Sequence, residues 1–216
     1  MNRADGSILI ETDELVVATS GWAALGHHEL RVRVEDEKLL DQAVRFLRSI
    51  SATAFASKSP IANGDVVQCG FYPVRFEIEG RYLAACEPTL DHTEWRMGAN
   101  LALQTWRDQA AICEAAGAQF LPPRSKSLAA VSSGFMRREN PVQGLRYRTR
   151  EDRSGWFFST PSYEASPADV SAVHIFHVVN ERPEISKFLA LPPGYWFSTE
   201  SGKASFDREA AETDGW

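Results

Sequence analysis

Apolar residues along this chain recur at two periods. From Leu30 to Val34 they alternate with arginine, as a half-buried strand requires, and behind Glu35-Asp36 the residues Leu39, Leu40, Ala43, Val44, Phe46, Leu47 and Ile50 follow helical spacing. The pattern predicts a strand feeding a helix. Val66, Val67, Phe71, Val74, Phe76 and Ile78, a turn at Glu79-Gly80, and Arg81 to Cys86 then predict a hairpin, with Pro73 implying an edge position or a bulge. Leu101, Leu103, Trp106, Ala110 and Cys113 predict a helix running from Trp95 to Gly117, with Gly117 as its cap and Gly98 only weakening its first turn.

The second half opens after Phe120-Leu121-Pro122-Pro123-Arg124-Ser125-Lys126-Ser127, whose prolines and polar residues read as an interdomain connection. Strands are expected over Leu128 to Val131, Gly144 to Arg150, Gly155 to Ser159 and Tyr195 to Thr199, with a helix around Asp169 to Asn180 between Pro167 and Pro183. Val173 to Val179 is rich in β-branched residues, which competes with that helix. The small and acidic residues from Asp207 onward read as a frayed tail. The expected fold class is α+β: two small α/β-sandwich-like domains, each a mainly antiparallel sheet with packed helices. The expected organisation is residues 1–121, a linker at 122–127, a second domain at 128–206 and an acidic tail at 207–216.

Composition places the 216 residues among ordinary globular proteins, with 44% hydrophobic and 24% charged residues. The net charge of −6 argues against a nucleic-acid partner, which needs clustered Lys and Arg, and favours a basic protein partner. Neither a bilayer-spanning apolar run nor a secretory apolar segment stands behind Met1 to Asp5, so no membrane association and a cytoplasmic location are expected. The odd count of three cysteines, Cys69, Cys86 and Cys113, all in apolar or helical surroundings, reads as buried reduced thiols.

Each catalytic template fails at a specific residue. His28-Glu29 begins like a zinc-protease helix, but Val32 stands where the second histidine belongs. His174 and His177 would share a helical face, yet no carboxylate or thiol at helical spacing completes a ligand set. Gly202-Lys203 lacks both the upstream glycine and the following hydroxyl of a phosphate loop. Ser132-Ser133-Gly134 lacks the first glycine of a nucleophile elbow, and Cys113 lies in a helical context that reads as packing. No metal and no cofactor are expected.

The ordered pieces Val131-Ser132-Ser133-Gly134, Gly144-Leu145-Arg146-Tyr147-Arg148, Asp152 to Ser159, Asn180 to Ile185 and Leu189 to Phe197 support one resemblance. Residues from about 128 to 206 resemble the immunity protein thirty-three type domain of bacterial polymorphic-toxin loci. Two positions depart from that family: Arg182 stands where Asp is common before Pro183, and Thr160-Pro161-Ser162-Tyr163-Glu164 replaces an acidic cluster.

The resemblance implies a non-enzymatic immunity protein that binds and neutralises a cognate toxin passed between bacterial cells, such as a type VI secretion effector. Cytoplasmic retention implies a cytoplasmic toxin target, and an acidic inhibitor suits a basic nuclease. Aromatic anchors with acidic neighbours make Tyr163, Glu164, Tyr195, Trp196, Glu200 and Asp207 the expected toxin-binding residues. Two rivals remain. One is a small-molecule hydrolase or other enzyme pairing His27, His28 or His92 with Asp91 or Glu94; the other is a regulatory adaptor using a similar surface.

Overall fold

The computed structural model describes residues 9–137, 139–149, 153–164 and 166–215. Arg150-Glu151-Asp152 and Trp216, along with the first residues read for a secretory segment, lie outside the described residues. The chain folds as two compact units, Met1–Gln104 and Thr105–Trp216.

The first unit is a mainly antiparallel sheet backed by a helix. Its strands are β1 (Leu9–Asp13), β2 (Val16–Ser20), β3 (Glu29–Arg33), β4 (Val66–Cys69), β5 (Tyr72–Glu79), β6 (Tyr82–Pro88) and β7 (Trp95–Met97). They run in the order β1-β2-β3-β6-β5-β4, with β7 pairing β6. Among the described residues of this unit only β3 and β6 pair in parallel, because helix α1 (Leu40–Ser57) lies on the connection between them. The helical spacing read from Leu39 onward forms its buried face, where Ala43, Phe46, Leu47, Ile50 and Ala54 pack inward and Phe46 stacks on Phe76 at 6.4 Å.

The expected hairpin is β5–β6, closed by Glu79↔Tyr82 with Gly80 at φ +62°. Pro73 sits in an interior strand, opposite Gln68 of β4, rather than on an edge. It is tolerated there because pairing with β6 has already ended at Arg75↔Cys86, so no β6 carbonyl lacks a donor at Pro73.

The helix expected from Trp95 begins at Asn100, as α2 (Asn100–Ala115). Trp95–Met97 pairs with β6 instead, and Gly98 takes φ +103°, which a helix cannot contain. Glu87 fixes where α2 starts. Its Oε2 accepts from the Ala102 N–H at 3.0 Å, placing an anion at the helix N-terminus, and its Oε1 accepts from Arg96 at 2.9 Å. Burial raises the Glu87 carboxyl above the usual range against these contacts. The C-terminal cap is Gly117, at φ +60°, as its position in the sequence predicts.

Glu29 is the second buried carboxylate of this unit, 8% exposed. Burial pushes its carboxyl up, but donors from Ala23 N–H (2.9 Å), Thr19 Oγ1 (2.8 Å) and Gly21 N–H (2.9 Å) outweigh that and leave it below its ordinary value of 4.5. A depressed carboxyl stabilises the fold above the unfolded value and loses that contribution as pH falls through the folded one. Glu29→Gln should therefore lower stability at pH 7 by about 1–3 kcal/mol. It should also flatten the decline below pH 4.5, read from urea midpoints across pH.

The second unit is a six-stranded sheet of β8 (Leu128–Ser132), β9 (Gln143–Arg146), β10 (Arg153–Ser159), β11 (Val170–His174), β12 (Tyr195–Ser198) and β13 (Lys203–Phe206). The order is β11-β8-β10-β9-β12-β13, with β8 and β10 parallel and the other pairs antiparallel. Helices α3 (Ser133–Met136), α4 (Ile175–Glu181) and α5 (Arg208–Glu212) and a 3-10 turn at Pro183–Phe188 complete it. The division between the units falls inside α2, ahead of the expected 122–127 linker. That stretch is tied to the second unit, where Ser127 O accepts from the Ile175 N–H at 2.9 Å and Ser125 O from the Phe176 N–H at 3.1 Å.

Three local expectations change in this unit. Within the stretch 169–180, Val170–His174 is strand β11, paired residue for residue with β8, and the chain turns helical only at Ile175, so the β-branched run divides: Val173 joins the sheet and Val178 and Val179 stay in α4. The strand expected over Gly144 to Arg150 ends at Arg146, because Gly155, at φ +78°, breaks the register of β10 beside it. The expected frayed tail is docked instead. Asp207 caps α5 through the Ala210 N–H at 3.1 Å, and Gly215 N–H donates to Arg148 O at 2.7 Å.

Candidate functional site

Alternation along β10 divides the second sheet into two faces. Trp156 and Phe158 are fully buried and stack on each other at 5.7 Å, and Phe197 of β12 joins them while stacking on Phe188 at 4.2 Å. Phe157, between the two, must point the other way. The register carries that second face across all six strands as one row: Ala172, Ala130, Phe157, Leu145, Trp196 and Ser205. Trp196 is 39% exposed, and Phe157 and Leu145 are half-buried.

One end of this row deepens into a cavity of about 570 Å³ lined by Tyr147, Phe157, Tyr163, Val170, Ala172 and Asp214, among others. Tyr163 meets Phe157 edge-on at 5.3 Å. Burial raises the Tyr147 phenol, and the neighbouring Asp207, Tyr163 and Glu209 raise it further, so the aromatic floor lies in a negative field. Aromatic faces beside carboxylates attract cationic side chains.

The loop that carries Tyr163 is anchored by Glu139. Its carboxylate accepts from Thr160 Oγ1 at 3.3 Å, from Ser162 Oγ and from Arg137 Nε at 2.9 Å; the Ser162 hydrogen bond, then Arg137, holds it below the usual range. Gly134 is required beneath the loop, since a Cβ there would collide with Thr160 Oγ1 and the Glu139 carboxylate. Arg182, 5% exposed, braces the same corner by donating to Glu184 at 2.7 Å, to Glu139 O at 3.0 Å and to Asn140.

Residues 108–207 match the family model of the Imm33-like domain. Over these residues the second unit is thus similar to an immunity-protein-like domain. The pieces read from the sequence fall within it: Ser132 to Gly134 at the loop anchor, Gly155 to Ser159 in β10 and Leu189 to Phe197 leading into β12. No curated protein and no solved structure matches the chain.

The Imm33-like domain brings three of the expected contact residues to the open side: Tyr163 at the cavity, Glu164 exposed beside it, and Trp196 in the cross-strand row. Tyr195 points to the opposite face, its ring edge-on to Phe206 at 5.3 Å and its hydroxyl 3.4 Å from Ala116 O. Glu200 is exposed in the turn between β12 and β13, and Asp207 places one carboxylate oxygen on the α5 cap. Tyr147, Phe157 and Asp214 join the site unexpectedly. Phe157 had a signal, because in the aromatic run Trp156-Phe157-Phe158 the middle ring cannot share a face with its neighbours.

The residues of the enzymatic rival have local structural roles. Asp91 accepts from Thr89 Oγ1 (2.6 Å), Thr93 Oγ1 (2.9 Å) and Thr93 N–H (3.2 Å), and these bonds depress its carboxyl. His92 takes φ +58° and stacks on Tyr72 at 6.0 Å, and His27 and His28 are exposed in the turn before β3. His174 ends strand β11 while His177 lies in α4, so the pair does not share a helix. Among the described residues no group of three or more His, Cys, Asp or Glu is placed to hold a metal. The three cysteines are free and buried, and burial raises their thiols, Cys86 and Cys113 to about 11. Among the described residues no helix is long and apolar enough to cross a membrane.

Proposed function

We propose that this protein is an immunity protein that neutralises a cognate toxin by protein–protein occlusion. Its contact surface is the open aromatic row of the Imm33-like domain, with Tyr163, Glu164 and Trp196 joined by Tyr147 and Phe157. The observation that carries this reading is the unbroken row from Ala172 to Ser205, in which Phe157 and Leu145 are half-buried and Trp196 is exposed, ending in a carboxylate-flanked aromatic cavity. Aromatic anchors that combine large area with few rotors dominate binding energy at interface centres.

The carboxylates of Asp207, Glu209 and Asp214 around Tyr147 favour a basic partner surface, consistent with the chain's net charge of −6. A basic nuclease delivered by a type VI system is the partner class that this charge suits. Glu200 at the far end of the sheet extends the same charge, while Tyr195 supports the surface from behind.

Co-purification with the product of the adjacent gene, with rescue of cells expressing that product, tests the reading. A stoichiometric complex with rescue is expected; neither complex nor rescue would remove the immunity role. Trp196→Ala and Tyr163→Ala should each weaken the complex by about thirtyfold with little change in Tm, since both side chains are partly in solvent.

A further inference from the structure

Arg146 is 5% exposed, yet among the described residues no carboxylate pairs with it. Its Nε donates to Ser154 O at 3.0 Å and its Nη1 to the carbonyls of Leu121 (2.6 Å), Leu191 (2.6 Å) and Leu189 (3.3 Å). These bonds use one edge of the guanidinium and leave the Nη2 edge without a described partner. Burial presses its pKa down to about 10, the direction expected of a cation stabilised only by dipoles.

Arg146 lines a groove of about 690 Å³ together with Leu121, Pro122, Pro123, Arg124, Lys126, Ser127 and Arg153. Four cations thus meet in one concavity, and no Asp or Glu is among the described residues that line it. In a chain of net charge −6 the described lining of this groove is of the opposite sign. A concavity with low-dielectric walls focuses such a field on whatever occupies it.

We propose that this groove binds the phosphate group of a small phosphorylated molecule. The guanidinium fork of Arg146, held rigid by its carbonyl partners, offers a preorganised donor edge to an oxyanion. Arg124, Lys126 and Arg153 add charge at the solvent side, where each is exposed. The positive charges of Arg124, Lys126 and Arg146 together match a phosphate dianion better than a single carboxylate. The volume exceeds one phosphate, and Leu121, 42% exposed, with Pro122 and Pro123 gives the remaining wall an apolar surface for the attached organic group.

The groove shares no lining residue with the Tyr147–Phe157–Tyr163 cavity, so phosphate binding and toxin binding are separable by mutation. The test is isothermal titration of the full chain at constant ionic strength with inorganic phosphate, a nucleoside monophosphate and a phosphoserine peptide as separate probes. Saturable binding is expected, tightest for the nucleoside monophosphate because it fills the apolar wall. Preference for the phosphopeptide, or equal binding of all three, would overturn the small-molecule assignment. The double variant Arg124→Ala/Lys126→Ala, both on exposed side chains, should weaken binding at least about tenfold while leaving Tm without ligand unchanged. Absence of heat with every probe up to about 10 mM, or binding that the double variant leaves intact, would overturn the site itself.

Discussion

Replacing Arg146 by methionine is expected to destabilise the second unit by about 3–5 kcal/mol, read from urea unfolding. The side chain fits an apolar core in volume, but the carbonyls of Leu121, Ser154, Leu189 and Leu191 would lose a shared charged donor, and the bonds to the last three are buried. Each such loss carries the desolvation cost of the orphaned acceptor rather than the smaller net value of a hydrogen bond. Arg146→Lys should recover only part of the loss, since one ammonium cannot reproduce the planar fork. A loss below about 1 kcal/mol for the methionine variant would mean that the carbonyls regain water or other donors, and the fastening role would fall.

Trp156→Ala should cost about 3–5 kcal/mol, the range for emptying a large aromatic site in a core. The indole is fully buried, stacked on Phe158 at 5.7 Å and edge-on to Phe197 at 5.5 Å, and its Nε1 donates to Leu189 O at 3.1 Å. Trp156→Phe keeps most of the area but loses the donor, and about 1–2 kcal/mol is expected. Because Arg146 and Trp156 share the Leu189 carbonyl, the Arg146→Met/Trp156→Ala pair should cost less than the sum of the single variants. Additive costs in a double-mutant cycle would show that the two do not act on one anchor.

Part of the candidate site was legible because it depends on alternation alone. In Gly155-Trp156-Phe157-Phe158 the period of two requires opposite faces for neighbouring rings, and the same logic separates Tyr195 from Trp196. What the alternation leaves open is which face is covered. Here the side bearing Trp156 and Phe197 receives Phe188 from the turn after α4, which leaves Phe157 and Trp196 facing outward. Tyr147 was missed for a related reason: its place in the cavity depends on β10, Tyr163 and the docked C-terminal segment, all distant in sequence.

The main departures also arise from non-local contacts. Helical spacing extends upstream through Trp95, but Glu87 and the left-handed Gly98 decide that the helix starts at Asn100. Val170 to His174 joins a sheet because β8 offers a free edge, and the residues after Asp207 fold back because Gly194 accepts the Asp207 N–H at 2.7 Å. Periodicity, glycine and proline positions and composition are local quantities. They were sufficient to determine the α+β class, the strands β8, β10 and β12, the cap at Gly117 and, through the spacing of its motifs, the resemblance of the second half to an immunity domain. The tertiary structure alone decided which sheet face stays open, which carbonyls surround Arg146 and which four cations share a groove, because each of those depends on residues brought together across tens of positions, where the packing of one segment fixes the environment of another.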